Sequence, residues 1–147
     1  MTALLSLLKS IQQHSQQLLQ SLRQEKQALD NNQYEQLNQL ALQKQATLEQ
    51  LQELDRQRAA YAADKDFNQY IAESRNPALS RQWETTRQAI RECQQQNEIN
   101  GRLLSKRAQF NQDILAILSG RNETVTPLYN AQGNPDNHAS LLGSIKA

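Results

Sequence analysis

The chain has 147 residues, 37% of them hydrophobic and only 5% aromatic, which allows a thin core but not a deep globular one. Its 16 basic residues are interspersed with 15 acidic ones, so the sequence lacks the clustered basic surface that is typical of nucleic-acid binding. No run of about 18 apolar residues occurs, which argues against membrane insertion, and the single cysteine, Cys93, has no partner for an intramolecular disulfide and suits the cytoplasm.

The composition favours helices throughout the chain. Glutamine occurs 24 times, whereas there are only four glycines and three prolines, and residues that favour strands are scarce. We therefore predict an all-α fold, an elongated antiparallel three-helix bundle or coiled coil with a long third helix, over residues 1–120. A flexible C-terminal tail is predicted for residues 121–147, where prolines, glycines and asparagines replace the regular apolar spacing.

The first predicted helix covers residues 2–29. Its stripe residues recur at alternating steps of four and three, the spacing that keeps one side of a helix against a partner. The stripe consists of Leu4, Leu8, Ile11, Ser15, Leu18, Leu22, Glu25 and Leu29. The residues that follow, Asp30, Asn31 and Asn32, favour a turn because their side chains compete for backbone hydrogen bonds.

The second predicted helix covers residues 33–64, where the same spacing resumes. Its stripe consists of Leu37, Leu40, Lys44, Leu48, Leu51, Leu54 and Arg58. Residues 65–76 are predicted to form a short helical connector whose aromatic side chains fold back on the bundle.

The third predicted helix covers residues 77–119 and begins with a capping residue, Asn76, before Pro77, whose missing N–H is harmless in a first turn. It would be ~64 Å long, against ~42 to ~45 Å for the first two helices. Gly101 lies inside it. Because its neighbours show no strand alternation, we interpret Gly101 as a helical glycine that allows close packing, at a cost of about 1 kcal/mol relative to alanine.

Polar residues interrupt the stripe of the third helix in its second half. They are Asn97, Asn100, Arg107 and Asn111. Buried asparagines in a helical seam fix register and partner number, and we predict this register or packing role for Asn97, Asn100 and Gly101. The alternative is that the stripe has lost its partner helix here and that these residues face water.

A second apolar stripe in the same region makes the apolar face of the third helix broader than a single packing seam. Because the first two helices are shorter, we expect part of this face to form an open groove for an amphipathic helix of another protein. The candidate binding residues are Ile99, Leu103, Leu104, Phe110, Ile114, Ile117 and Leu118. A homodimer of the free chain that buries the same surface is the alternative.

Candidate groups for catalysis are few. The chain has two histidines, His14 and His138, with no metal-ligand spacing and no phosphate-binding glycine loop. We therefore predict no catalytic residue, no metal, no cofactor and no enzymatic activity. Cys93 lies on the stripe of the third helix and is interpreted as a small hydrophobic packing residue.

Two segments of the C-terminal half resemble motifs of the FlgN family of flagellar export chaperones. Residues 97–104, Asn-Glu-Ile-Asn-Gly-Arg-Leu-Leu, are similar to the family's asparagine-rich signature before a leucine pair. Residues 126–133, Thr-Pro-Leu-Tyr-Asn-Ala-Gln-Gly, are similar to its tail motif. The leucine spacing and the polar break at residues 30–33 agree with this resemblance, whereas residues 141–146 depart from it and receive no role.

The resemblance implies a cytoplasmic chaperone of type III protein export in bacterial flagellum biogenesis. Its expected partners are the C-terminal segments of the hook-filament junction proteins, which it would keep from associating prematurely. A second expected partner is the cytoplasmic domain of the flagellar export gate, on which Leu128 and Tyr129 would dock. The other function that stays open is a structural coiled-coil adaptor or homo-oligomer with no export role.

Overall fold

The computed structural model describes residues 2–119, which form four helices and, within that range, no strand. The helices are α1 (Thr2–Asp30), α2 (Tyr34–Ala62), α3 (Phe67–Ser74) and α4 (Pro77–Ser119). The described part of the chain is therefore all-α, as predicted. The predicted connector contains α3, and the predicted third long helix is α4, which runs without interruption through Gly101.

The turn between α1 and α2 is closed by a helix-ending motif built on Asn32. Asn32 has a left-handed backbone with φ 56°, a conformation that asparagine tolerates better than most residues. The N–H of Asn32 donates to the carbonyl of Leu29 at 3.4 Å, and that of Gln33 donates to the carbonyl of Ala28 at 2.9 Å. This is the Schellman pattern, and it ends α1 at Asp30.

The start of α4 is fixed by the side chain of Asn76. Its Oδ1 accepts hydrogen bonds from the N–H groups of Ala78 at 3.0 Å and Leu79 at 3.4 Å. Two donors that lack an intrahelical partner are thereby satisfied, and Pro77 occupies the first helical position, where no donor is needed. The predicted cap is confirmed.

Helices α1 and α4 run parallel and in a fixed register. Three side chains of α4, seven residues apart, donate hydrogen bonds to backbone carbonyls of α1 that are also seven residues apart. The pairs are Thr86 Oγ1 to Leu8 (3.0 Å), Cys93 Sγ to Ser15 (2.9 Å) and Asn100 Nδ2 to Leu22 (2.8 Å). Because short side chains reach a carbonyl directly, the two backbones lie close together along two heptads.

Helix α2 packs against α1 and runs antiparallel to both long neighbours. No Cα atom of α2 lies within 8 Å of a Cα atom of α4 in the described part of the chain. Long side chains bridge this wider gap instead: Lys44 Nζ donates to Asn97 Oδ1 at 2.8 Å, and the guanidinium of Arg58 lies 5.3 Å from the ring centre of Trp83. α1 is therefore the central helix of the bundle.

The apolar core lies between α1, α2 and the first half of α4, and α3 closes one end of it. Phe67 and Ile71 of α3 are buried there, and the ring of Phe67 meets that of Trp83 edge to face at 4.6 Å between centres. The main core residues are Leu4, Leu8, Ile11, Leu18, Leu22, Leu48, Leu51, Leu79, Ile90 and Cys93. The aromatic side chains of the predicted connector thus cover the bundle end.

The opposite end of the bundle leaves part of α4 without its neighbours. α4 has 43 residues, whereas α1 and α2 have 29 each, which corresponds to ~64 Å against ~44 Å. The register of α1 and α4 places the end of α1 beside Ala108, and Arg107 Nη1 donates a hydrogen bond to Asn32 Oδ1 in the turn. Residues 108–119 therefore extend past the turn, and we call them the overhang.

Candidate functional site

The overhang exposes five large apolar side chains; Leu115 is 62% exposed, and the other four share one side of the helix. Phe110 is 64% exposed, Ile114 40%, Ile117 76% and Leu118 78%. Their spacing of four, seven and eight residues from Phe110 places them on one side of the helix. An apolar face of about two turns therefore stands open to solvent at the end of the bundle.

The three other predicted binding residues lie nearer to the bundle. Leu103 and Leu104 are half-buried where α4 leaves α1 and α2, and Ile99 is 41% exposed beside the covered part of the helix. Ile99, Leu103 and Phe110 follow each other at helical intervals of four and seven residues, so they share one side of α4. The predicted set thus forms a stripe that becomes more exposed toward Ser119.

A layer of polar side chains separates this stripe's open end from the apolar core. It consists of Glu25, Lys44, Asn97 and Asn100, all of which are buried; we call it the polar layer. Lys44 Nζ donates to Asn97 Oδ1 at 2.8 Å, and Asn100 Nδ2 donates to Glu25 Oε1 at 2.8 Å and to the carbonyl of Leu22. The layer connects all three long helices at one level of the bundle.

Charge is buried in the polar layer at a cost. Removal from water lowers the pKa of Lys44, and the carboxylate of Glu25 opposes this shift by its negative charge. A buried ammonium is tolerated where a hydrogen bond and an opposite charge are both within reach. The layer therefore favours one register of α1, α2 and α4 over shifted ones, which would leave these groups unpaired.

The polar residues on the stripe of α4 divide into two groups. Asn97 and Asn100 are buried and hydrogen-bonded, and the backbone of Gly101 is buried beside them. Asn111 in the overhang is exposed. The stripe of α4 is therefore a buried polar seam up to Gly101 and faces solvent at Asn111.

Two members of the polar layer, Glu25 and Lys44, were placed on packing stripes from the sequence, but no polar contact with α4 was predicted for them. Both occupy stripe positions in the periodic pattern of their helices, and a charged residue on an otherwise apolar stripe is the signal that could have identified them. Their pairing with asparagines of α4 depends on a register that becomes known only from the fold.

Cys93 lies in the covered part of α4 and is fully buried. Burial, with a smaller contribution from the negative charge of Glu92, raises the pKa of its thiol to about 12. Because the thiolate is the reactive form, this environment suits the predicted packing role.

Leu128 and Tyr129 lie outside the described residues. Within residues 2–119 no three histidine, cysteine or acidic side chains are grouped so that they could hold a metal ion. None of the four helices contains a segment long and apolar enough to span a bilayer.

Comparison with known proteins gives a family match. The model of the FlgN protein family matches residues 1–137, a range that includes every described helix, the polar layer, the overhang and both sequence motifs. Searches of curated proteins and of solved structures found no significant match to the chain.

Proposed function

Because the chain belongs to the FlgN family of flagellar export chaperones, we propose that it binds the C-terminal helical segments of the hook-filament junction proteins in the cytoplasm and delivers them to the flagellar export gate. Proteins of this family bind flagellar export substrates. The identity of the client, the compartment and the contact with the gate are parts of the proposal.

The observation that carries the proposal is the exposed apolar face of the overhang. Burial of an exposed leucine, isoleucine or phenylalanine contributes about 1.5–3 kcal/mol, so Phe110, Ile114, Ile117 and Leu118 offer a client several kcal/mol of favourable free energy. An amphipathic client helix has the matching apolar face, and the same face would cause isolated clients to aggregate. Covering it keeps the client soluble without an energy source.

Delivery to the gate requires that one chain contact two partners at once. Leu128 and Tyr129 follow Ser119 by nine and ten residues, a segment that can reach at most about 30 to 36 Å when fully extended. The gate would therefore bind close to the client without competing for the overhang. Release of the client then follows from transfer at the gate, which is consistent with a chaperone that needs no cofactor.

The client site is tested by calorimetric titration with the purified C-terminal peptide of each junction protein. The double variant Phe110→Asp, Ile114→Asp should abolish binding while its helicity by circular dichroism is retained. Leu42→Asp is the matched control, since Leu42 is 75% exposed on α2 and lies on another helix. Unchanged affinity in the double variant would remove the overhang from the client site.

The gate contact is tested separately with Tyr129→Ala. We expect normal affinity for the junction peptide and weaker binding to the purified cytoplasmic domain of the export gate. Equal affinity for the gate domain before and after the change would exclude Tyr129 from docking. A chain that retains no junction protein from motile cells, and recovers only further copies of itself, would instead support the structural adaptor.

A further inference from the structure

Packing positions seven residues apart run in one continuous line along the covered part of α4 and the overhang. This packing line indicates where a client helix binds. On the basis of the proposed function, we infer that the client segment is a helix whose axis extends that of α1. It lies end to end with α1 at the α1–α2 turn and packs along the overhang in the same register that α1 uses along the rest of α4. Its end nearest the turn carries acidic residues.

The register supports this position. At steps of seven residues along α4, Thr86, Cys93 and Asn100 bond to carbonyls of α1. The next step, Arg107, bonds to the side chain of Asn32 in the turn, and the step after that is Ile114, which is 40% exposed. α1 ends at Asp30, so the space beside Ile114 lies on the extension of the α1 axis.

The chemistry of the packing line changes where α1 ends. In the covered part, Thr86, Cys93 and Asn100 are short donors that hold the α1 backbone close. In the overhang, Ile114 takes the corresponding position, with Asn111 and Leu118 on the same stripe and with Phe110 and Ile117 at its edge. Most of these side chains are apolar, so the occupant must contribute apolar side chains of its own, as an amphipathic helix does.

The charges beside the turn indicate which end of the client lies there. Lys106 is exposed and Arg107 is half-buried, and between residues 103 and 119 α4 carries a single acidic residue, Asp113. Asp113 itself accepts a hydrogen bond from Gln109 at 2.9 Å. On the other side of the turn, Asp30 is already paired with Lys26 at 2.9 Å, and Glu35 is exposed in the first turn of α2. Acidic client residues at this position would meet a basic surface, which favours an acidic end at the turn.

A second copy of the chain is a poorer occupant. It would bring the same Lys106 and Arg107 to the contact, so like charges would face each other wherever these residues of the two copies approached. A client segment with an acidic end brings the opposite charge to the same place.

The proposed position of the client helix is tested by paramagnetic relaxation enhancement in the full chain labelled with ¹⁵N. The probe is the C-terminal peptide of a junction protein with a nitroxide at its more acidic end. We expect strong broadening of the amide signals of Asn31 and Gln33 in the turn, and none in the α1–α4 groove around Gln88. Broadening around Gln88, or none at the turn, would overturn the proposed position while leaving the client role intact.

The charge contribution is tested with Lys106→Glu against Lys9→Glu, the same change at an exposed position of α1 near the other end of the bundle. We expect affinity for the peptide to fall roughly two- to fivefold in the first variant only, a range typical of exposed ion pairs. Equal effects in both variants would overturn the acidic end. A peptide that does not bind at all would overturn the proposed function together with this inference, and a concentration-dependent dimer that protects Ile114 would identify a second copy as the occupant.

Discussion

The first half of α4 and its overhang belong to one helix and use the same helical positions, yet they differ in almost every physical property. Ile90 in the covered half is 3% exposed, whereas Leu118, four heptads further along the same stripe, is 78% exposed. The covered half bonds to the backbone of α1 through short polar side chains, and the overhang presents large apolar ones. The same periodic pattern therefore forms a helix in both parts of α4, but it leads to burial only where α1 and α2 are present.

The two parts of α4 also contribute to different properties, the covered half to stability and the overhang to binding. The covered half removes most of its apolar surface from water and so contributes most to the free energy of folding. The overhang gains little from folding, and its surface remains available to a partner. A change in the overhang should therefore affect binding with little effect on stability, and a change in the covered half should do the reverse.

The largest expected contrast comes from truncating one isoleucine in each half. Ile90→Ala should lower the free energy of unfolding by about 2–5 kcal/mol, because it leaves a cavity in a packed core. Ile117→Ala should change it by less than about 0.5 kcal/mol, as for other exposed positions. Urea unfolding followed by circular dichroism measures both, and comparable losses would show that the overhang is packed in solution.

A smaller contrast is expected from the two asparagines of α4. Asn100→Ala removes the donor to the buried carboxylate of Glu25 and should destabilise the fold by about 1–3 kcal/mol. Asn111→Ala should have almost no effect, because Asn111 is exposed. If the two variants unfolded at the same urea concentration, the polar layer would contribute nothing to stability.

The smallest expected effect is a pH dependence of the free energy of unfolding that arises from Lys44 in the polar layer. Burial lowers the pKa of Lys44 below its ordinary 10.5, so between the two values the unfolded chain binds more protons than the folded one. Stability should therefore rise with pH in that window, by at most about 1.4 kcal/mol per pH unit from this group. Urea unfolding at pH values approaching 10.5 should show a steeper rise of stability with pH in the wild type than in Lys44→Met; equal slopes would contradict a pKa of Lys44 that burial lowers.

Local signals predicted much of the fold. The leucine stripes predicted α1 and α2, the Asn76 and Pro77 pair predicted the start of α4, and the asparagines after Asp30 predicted the turn. Each of these features depends on interactions within a few residues, namely caps, turns and helical periodicity. The relative lengths of the helices also led to the expectation of an open face on α4.

Other features could not be predicted because they depend on register between distant segments. Asn97 and Asn111 have the same side chain on the same stripe, and only the position of the turn at Asn32 decides which one is buried. The sequence likewise does not reveal that α2 keeps its distance from α4, or that Lys44 fills part of that gap. The seven-residue ladder from Thr86 to Asn100 follows from the parallel packing of α1 and α4, which local patterns do not specify.

The central claim, that the overhang is where a client binds, is tested most directly by hydrogen exchange along α4 with and without a saturating junction-protein peptide. The peptide should slow amide exchange across residues 108–119 by about tenfold or more and leave residues 79–100 unchanged. Slowed exchange confined to the covered half, or to the glutamine-lined groove between α1 and α2, with an overhang as fast as in the free chain, would contradict it.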